Sequence, residues 1–173
     1  QTAYLKYYYP VEFMAALMTS VKDNVGKVSE YIMSCRKMGM KIVPPDINEG
    51  VGGFSVSDGS IRYGLSAIKS IGQSVVDEIV NERSVGGPFY SLEDFIDRMD
   101  SKDINKRTLE SFIKSGAMDS LPGTRKQKFI VSGQLLDQKN KEKRTSIEGQ
   151  LSLFDFAAQE DKQSFQIQLP AVG

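Results

Sequence analysis

Apolar residues recur at helical spacing through the first 38 residues of the chain. Pro10 suits the first turn of one helix, and Asp23 or Asn24 can cap the next. The apolar faces of these helices are formed by Val11, Met14, Leu17 and Met18, and by Val25, Val28, Tyr31, Ile32, Cys35 and Met38. Gly39 then favours a helix end, and residues 41–43 are predicted to run extended into two prolines.

Residues 54–63 show the alternation of a β-hairpin instead. Asp58 and Gly59 form a two-residue turn signal with alternating apolar residues on both sides. The predicted cross-strand pairs are Ser57–Ser60, Val56–Ile61 and Phe54–Tyr63. Two strands alone are only marginally stable, so we expect their apolar face to pack on neighbouring helices.

Short helical patterns account for most of the remaining apolar residues. We predict helices over residues 65–70, about 73–83, from Ser91 onward, near 105–115, and from Thr124 to about 138. Ser91 with Asp94, and Thr124 with Gln127, have the spacing of a capping box. Beyond residue 138 the periodicity stops, and residues 139–149 are predicted to be a flexible charged linker. The predicted fold class is therefore mainly α with a small β-hairpin and a flexible C-terminal tail.

Composition narrows the chemistry that we expect from this chain. There is no histidine and one cysteine, Cys35, which argues against a structural zinc site and is interpreted as a buried core thiol. No apolar run approaches the ~20 residues that span a bilayer, and the chain shows no secretory leader. We therefore expect no metal, no membrane contact and a cytoplasmic location. Because the chain starts at Gln1 without an initiator Met, we also expect a piece of a longer protein.

The net charge of zero hides an uneven distribution. Residues 1–101 and residues 145–173 each have a net charge of −3, whereas residues 102–144 carry 11 Lys or Arg and 5 Asp or Glu, a net charge of +6. Such a positive block is the usual footprint of a contact with a phosphate backbone. A solvated, lysine-rich helix face has the same composition, so charge alone leaves both interpretations open.

Residues 65–79 combine a short apolar helix, a tight turn at Ile71 and Gly72, and a second amphipathic helix. Gly72 lets the backbone bend and lets a ligand approach closely. The first amides of the second helix lack intrahelical partners and lie at the positive end of its dipole, which suits a phosphate oxygen. The candidate contacts to a nucleic-acid backbone are Lys69, Ser70, Gly72, Gln73 and Ser74. Simple packing of two helices at a corner is the alternative.

This stretch resembles the helix-hairpin-helix DNA-binding motif. The turn of that family is usually Gly-apolar-Gly, and Ser70 replaces the first glycine here. A second, weaker copy lies in the basic block over residues 104–121, again as helix, glycine-containing turn and helix. Its candidate backbone-binding residues are Lys106, Arg107, Lys114, Gly116, Arg125 and Lys126. Paired hairpins are suited to straddling two phosphate strands, so double-stranded DNA is the expected partner.

Seven short segments carry a wider resemblance. They are Tyr9–Leu17, Cys35–Gly39, Pro44–Asn48, Ile61–Leu65, Ala67–Lys69, Asn105–Arg107 and Ser115–Ala117. In this order they resemble the alpha subunits of bacterial DNA polymerase III, in the form without an inserted exonuclease domain. The resemblance covers roughly residues 1–156. It implies the end of a fingers domain over residues 1–60, a tandem helix-hairpin-helix domain over 61–138, and a flexible linker with a clamp-binding peptide over 139–173.

The resemblance also implies where catalysis takes place in the whole protein. The catalytic aspartates of the family hold two metal ions, expected to be Mg²⁺, in a palm domain upstream of this region. No catalytic residue, metal or cofactor is therefore expected in this segment. The whole protein is expected to be a DNA-directed DNA polymerase that acts with other replisome subunits in the bacterial cytoplasm, associated with the nucleoid.

The stretch from Gln150 to Phe154 places apolar residues next to a lysine-rich region. It resembles the five-residue peptide by which bacterial polymerases and repair proteins bind the sliding clamp. We expect Leu153 and Phe154 to fill an apolar pocket of the clamp, Gln150 to orient the strand and Leu151 to cover a secondary site. Burial contributes ~1.5–3 kcal/mol per large apolar side chain. The alternative is that these residues dock on the chain's own helices.

Three functions are therefore weighed. The first is a segment of a replicative polymerase that holds duplex DNA and tethers the enzyme to the clamp. The second is a non-catalytic helix-hairpin-helix adaptor of repair or recombination that carries the same clamp peptide. The third is a helical scaffold without affinity for DNA.

Overall fold

A computed structural model describes the backbone of residues 1–99 and 104–165 and the side chains of residues 1–99 and 104–146. The chain divides into two compact units, Gln1–Leu135 and Leu136–Gly173. The helices are α1 (Thr2–Tyr8), α2 (Pro10–Ser20), α3 (Val25–Lys37), α4 (Gln73–Gly86), α5 (Leu92–Arg98), α6 (Lys106–Ser115) and α7 (Arg125–Phe165). The strands are β1 (Ile42–Val43), β2 (Ser55–Ser57) and β3 (Ser60–Arg62), and a 3-10 turn occupies Leu65–Ala67. The prediction of a mainly helical fold with a small β-hairpin is confirmed.

The first two amphipathic helices form close to their predicted positions. Pro10 opens α2, and the Asn24 side chain caps α3 by accepting a hydrogen bond from the Lys27 amide at 3.1 Å. Their apolar faces pack together with the sheet, and the fully buried members of this core include Met18 and Cys35. Burial also raises the pKa of the Cys35 thiol, because the thiolate is disfavoured away from water.

The predicted hairpin is present with its predicted register. Val56 pairs with Ile61 across β2 and β3, and Asp58 and Gly59 have φ of 50° and 70° in the turn. The Phe54 and Tyr63 rings lie 4.9 Å apart between centroids. The sheet also has a third strand, since β1 pairs with β3 in parallel, a pairing that local alternation does not reveal.

Two of the predicted helices do not form where the sequence predicts them. Residues 65–70 form only the short 3-10 turn, after which the backbone is extended at Ile68. In the second copy of the motif, residues 117–121 form turns, and the next helix begins at Arg125. Gly116 and Gly123 have φ of 86° and 91° there, a conformation that interrupts a right-handed helix.

The helix that begins at Arg125 also extends further than predicted. The periodicity of apolar residues predicts an end near residue 138 followed by a linker over 139–149, whereas α7 continues to Phe165. Lys, Gln, Glu and Arg are good helix formers, and Gln138 donates to Glu142 one turn later at 3.2 Å. Helix formation in this polar stretch therefore does not require an apolar face.

Arg98 joins the end of α4 to α5. Its guanidinium donates to the Glu82 carboxylate at 3.1 Å and to the carbonyls of Glu82 and Gly87 at 2.9 and 3.0 Å. It also stacks on the Phe89 ring, 4.5 Å from the centroid. Gly86 leaves the space that this side chain occupies, because a Cβ there would collide with the guanidinium. The Arg98 side chain therefore holds the turn between α4 and α5 in place.

We expect Arg98→Ala to destabilise the chain by ~2–3 kcal/mol, because several acceptors lose this donor and the contact with the Phe89 ring is removed. Urea denaturation followed by circular dichroism measures this loss. Lys27→Ala, at an exposed position of α3, is the control and is expected to change stability by less than ~0.5 kcal/mol. Equal effects of the two substitutions would contradict the role assigned to Arg98.

Candidate nucleic-acid interface

The first hairpin is a tight exposed turn between two buried anchors. Ile68 and Ile71 are buried, and the Ile71 amide donates to the Ile68 carbonyl at 3.2 Å. Lys69 and Ser70 stand between them and are exposed. Ser70 has φ of 73°, the left-handed conformation that favours glycine. The turn therefore has the tight geometry of the motif although a serine occupies the position of its usual first glycine.

Gly72 occupies the N-cap position of α4 with ordinary backbone angles, φ −79° and ψ 157°. A Cβ placed there would have the Ser74 hydroxyl as its nearest neighbour, at 3.6 Å, which is a normal contact. The fold itself therefore does not require glycine at this position. Because glycine has no side chain, α4 begins without the side-chain cap that α3, α5 and α6 have. Residues 72–74 are exposed here, at the positive end of the helix dipole.

The Gln73 side chain is engaged within the protein. Its carbonyl oxygen accepts from the Ser66 hydroxyl at 2.8 Å and from the Lys22 ammonium at 3.0 Å. Its amide nitrogen donates to Asp77 at 2.8 Å. This network places Lys22, a cation that the sequence analysis did not select, beside the start of α4. No local sequence signal could have found it, because it lies 51 positions away along the chain.

The second hairpin presents exposed cations at the start of α6. Lys106 and Arg107 are exposed in the first turn of this helix. Asn105 caps it by accepting from the Thr108 amide at 3.1 Å. The cap thus occupies one of the first amides of α6, and the two exposed cations add positive charge beside it.

The turn of the second hairpin uses several predicted contact residues internally. Gly116 is buried, and a Cβ there would meet the Arg125 guanidinium at 2.6 Å and the Asp119 carboxylate at 3.1 Å. Arg125 donates from Nε to Asp119 at 2.8 Å, and this hydrogen bond lowers the pKa of the Asp119 carboxyl. Gly116 thus serves the turn geometry, and the charge of Arg125 is partly compensated. Lys126, the next residue along α7, is exposed.

The two hairpins contribute cations to the same cavity. Lys69 of the first hairpin, Lys114 of α6 and Arg36 of α3 line a cavity of about 700 Å³ with largely apolar walls. Lys114 also lies 3.5 Å from Glu110 and 5.4 Å from the centroid of the Phe129 ring. Arg36 is a second cation that sequence analysis missed, since it belongs to a helix far from either hairpin in sequence.

The remaining sequence expectations concern metal, membrane and the clamp peptide. Within the described residues, no group of three or more His, Cys, Asp or Glu side chains could hold a metal ion, so the Mg²⁺ implied by the resemblance is assigned to none of them. None of the described helices is both long and apolar enough to cross a membrane. The backbone of Gln150, Leu151, Leu153 and Phe154 belongs to α7, and their side chains lie outside the described part of the structure.

Comparison with known proteins assigns this geometry to a family. The sequence matches the helix-hairpin-helix motif family over residues 39–128, which is more than half of the chain. The chain therefore belongs to the helix-hairpin-helix family.

It is also similar to the DNA polymerase III subunit alpha of several bacteria. Identity is 45% over 170 residues with the protein of Borreliella burgdorferi, which covers 97% of this chain and 15% of that protein. It is 42% over 164 residues for Escherichia coli, with 94% and 14% covered, and 40% over 153 residues for Mycobacterium tuberculosis, with 88% and 13% covered. The chain thus spans about one seventh of the length of these relatives. The resemblance to polymerase III alpha subunits is confirmed.

We expect Ser70→Gly to stabilise the chain by ~0.5–1 kcal/mol, because glycine adopts positive φ without the steric cost that serine has. The free energy of unfolding in urea measures this gain. Ser84→Gly, inside α4, is the matched control and is expected to destabilise by about the same amount. A loss of stability on Ser70→Gly would show that the left-handed turn is not the conformation in solution.

Proposed function

We propose that this chain is the part of a replicative DNA-directed DNA polymerase that grips duplex DNA through its phosphate backbone and tethers the enzyme to the sliding clamp. The first hairpin supplies helix amides together with Lys69, Ser70 and Ser74. The second hairpin supplies exposed cations, chiefly Lys106, Arg107 and Lys126. These groups contact phosphates rather than base edges, so the grip is independent of sequence.

The observation that carries the DNA proposal is the environment of Gly72. Neither its backbone angles nor its neighbours require glycine, and it begins a helix whose dipole points its positive end outward. A residue without a side chain at this point is explained by the close approach of an external group. A phosphate oxygen is the ligand that a helix N-terminus flanked by an exposed lysine accepts best.

We expect Gly72→Glu to weaken binding of this chain to duplex DNA to a similar degree for unrelated sequences. The introduced carboxylate blocks the helix start and repels phosphate, while the open space at Gly72 leaves the fold intact. Fluorescence anisotropy with two labelled duplexes of different sequence, over a series of salt concentrations, measures the affinity. Gly133→Glu in α7 adds the same charge where a Cβ meets nothing within 4 Å, and it serves as the control.

Reversing the charge of Lys106 and Arg107 together tests the second hairpin in the same assay. Each lost phosphate contact is expected to reduce the slope of log affinity against log salt by ~0.9. A strong change in base preference would contradict a backbone grip. Absence of any salt-sensitive binding by the unaltered chain would favour the scaffold interpretation.

The clamp tether is proposed for residues 150–154. Leu153 and Phe154 would enter an apolar pocket on the clamp, with Gln150 orienting the strand and Leu151 covering a secondary site. Binding as an extended strand requires these residues to leave the helical conformation that α7 has here. The ordering cost of ~0.5–1.5 kcal/mol per side chain leaves a modest net affinity, which simultaneous DNA contact would increase.

We expect replacement of both Leu153 and Phe154 by Ala to abolish binding to an immobilised bacterial sliding clamp, because the two side chains supply most of the buried apolar surface. Surface plasmon resonance measures clamp binding, and anisotropy on duplex DNA is expected to stay nearly unchanged. Phe156→Ala, just beyond the five-residue peptide, is the control. Clamp binding that survives the double substitution would rule out the peptide as the tether.

The activity of the whole protein is a further part of the proposal. Nucleotidyl transfer would take place upstream, on carboxylates that hold Mg²⁺ in a palm domain, and this segment would contribute grip and processivity in the cytoplasm at the nucleoid. Other replisome subunits are proposed as additional partners.

A non-catalytic DNA-binding adaptor of repair or recombination is the second candidate, since hairpins and a clamp peptide would serve it equally well. The similarity to the polymerase III alpha subunits, which extends over 97% of this chain with the Borreliella burgdorferi protein, favours the polymerase. Polymerase activity of the parent protein, lost when upstream carboxylates are replaced, distinguishes the two.

A further inference from the structure

Lys128 is a buried cation in the second hairpin. It lies in the first turns of α7 and is only 3% exposed. Its ammonium donates to the carbonyl oxygens of Met118 and Leu121 at 2.6 and 2.7 Å. In the sequence it counts toward the positive block, but in the structure its charge faces the turn of the hairpin rather than the surface.

The turn between α6 and α7 needs such a donor. Gly116 and Gly123 have left-handed angles, so the path between them has no continuous helical hydrogen bonding. The side chains of Met118 and Leu121 are buried, so the turn packs against the core. An ammonium group has three donors and no acceptor, and here it satisfies two carbonyls that converge on one point. Without it, both carbonyls would lose that partner, an unfavourable state inside a protein.

The first turn of α7 carries a second lysine, which is exposed. Lys126 is exposed, whereas Lys128 two residues later is buried. Arg125 is also exposed, and it pairs with Asp119. Burial lowers the pKa of the Lys128 ammonium, and nearby Asp119 opposes that change.

We propose that Lys128 is the positioning residue of the second hairpin, an internal cation that holds the carbonyls of Met118 and Leu121 inward and thereby sets the conformation in which Lys126 meets a DNA phosphate. Lys128 itself touches no phosphate. The inference rests on the proposed DNA grip, but the cation-binding role of the turn is testable without DNA.

Two lysine substitutions separate positioning from direct contact. Lys128→Met keeps the apolar stem and removes the ammonium, and we expect it to lower duplex affinity roughly tenfold, the equivalent of one lost charged hydrogen bond. Because a misplaced Lys126 loses its phosphate, the slope of log affinity against log salt is expected to fall by up to ~0.9, and combining Lys128→Met with Lys126→Met is expected to lower it no further than Lys126→Met alone. Lys126→Met is the matched control and is expected to reduce the slope of log affinity against log salt by ~0.9, since it removes a phosphate contact.

Chemical rescue tests the internal cation directly. Lys128→Ala removes the atoms that propylammonium contains, so added propylammonium chloride is expected to raise both the melting temperature and the DNA affinity of this variant. Tetramethylammonium chloride at equal concentration controls for ionic strength, because it has no N–H donor. Neither salt is expected to stabilise the unaltered chain selectively.

Three results would overturn the proposal. One is wild-type DNA affinity in Lys128→Met, and another is a double variant, Lys126→Met with Lys128→Met, whose loss of salt slope is the sum of the two single losses. The third is a Lys128→Ala variant whose melting temperature responds equally to both salts. If the unaltered chain binds no DNA, the proposed grip fails, whereas selective rescue of the melting temperature would still support the internal cation.

Discussion

The segment between Pro45 and Phe54 is irregular, so its polar backbone groups need hydrogen-bond partners outside helices and sheets. Several elements of the first unit supply these partners. The Asn48 amide makes two hydrogen bonds with the backbone of Phe89, at 2.8 and 2.9 Å. Arg83 donates to the carbonyls of Ile47 and Gly50, and the Ile47 amide donates to Ala117 in the second hairpin. Buried backbone groups left unpaired are strongly unfavourable. This segment therefore connects the sheet, α4 and both hairpins.

The two hairpins reach a similar outline by different physical means. The first leaves its helix start open, with Gly72 in ordinary backbone angles and the left-handed turn residue shifted to Ser70. The second is closed from within, by the buried Lys128 ammonium and by the pairing of Arg125 with Asp119. The first is thus suited to offering amides and the second to offering side-chain cations.

The cations of residues 102–144 occupy different environments in the structure. Lys106, Arg107 and Lys126 are exposed, Arg125 is paired, and Lys128 is internal. Meanwhile Lys22 and Arg36, from the net-negative first part of the chain, lie beside the hairpins. A charge count along the chain therefore does not show which cations are exposed and which are paired or buried. Electrostatic footprints depend on distance in space, and only packing defines that distance.

Local interactions let the sequence by itself determine the caps at Ser91 and Thr124, the choice of Asp23 or Asn24 as the cap of α3, and the hairpin register around Asp58 and Gly59. The caps depend on residues three positions apart and the hairpin on pairs up to seven positions apart, so local pattern and propensity suffice. The first helix-hairpin-helix turn, by contrast, was predicted at Ile71 and Gly72 and lies at Lys69 and Ser70. Tertiary structure decided the parallel pairing of β1 with β3 and the hydrogen bonds that hold residues 45–54. It also decided the burial of Gly116 and Lys128 and the contact between Lys22 and Gln73. The helical state of residues 139–149 also escaped the sequence analysis, because a polar helix shows no apolar period. Long-range contacts join residues whose spacing along the chain carries no periodic signal, and for that physical reason the sequence could not show which side chains from distant segments, such as Lys22 and Arg36, lie beside the candidate site.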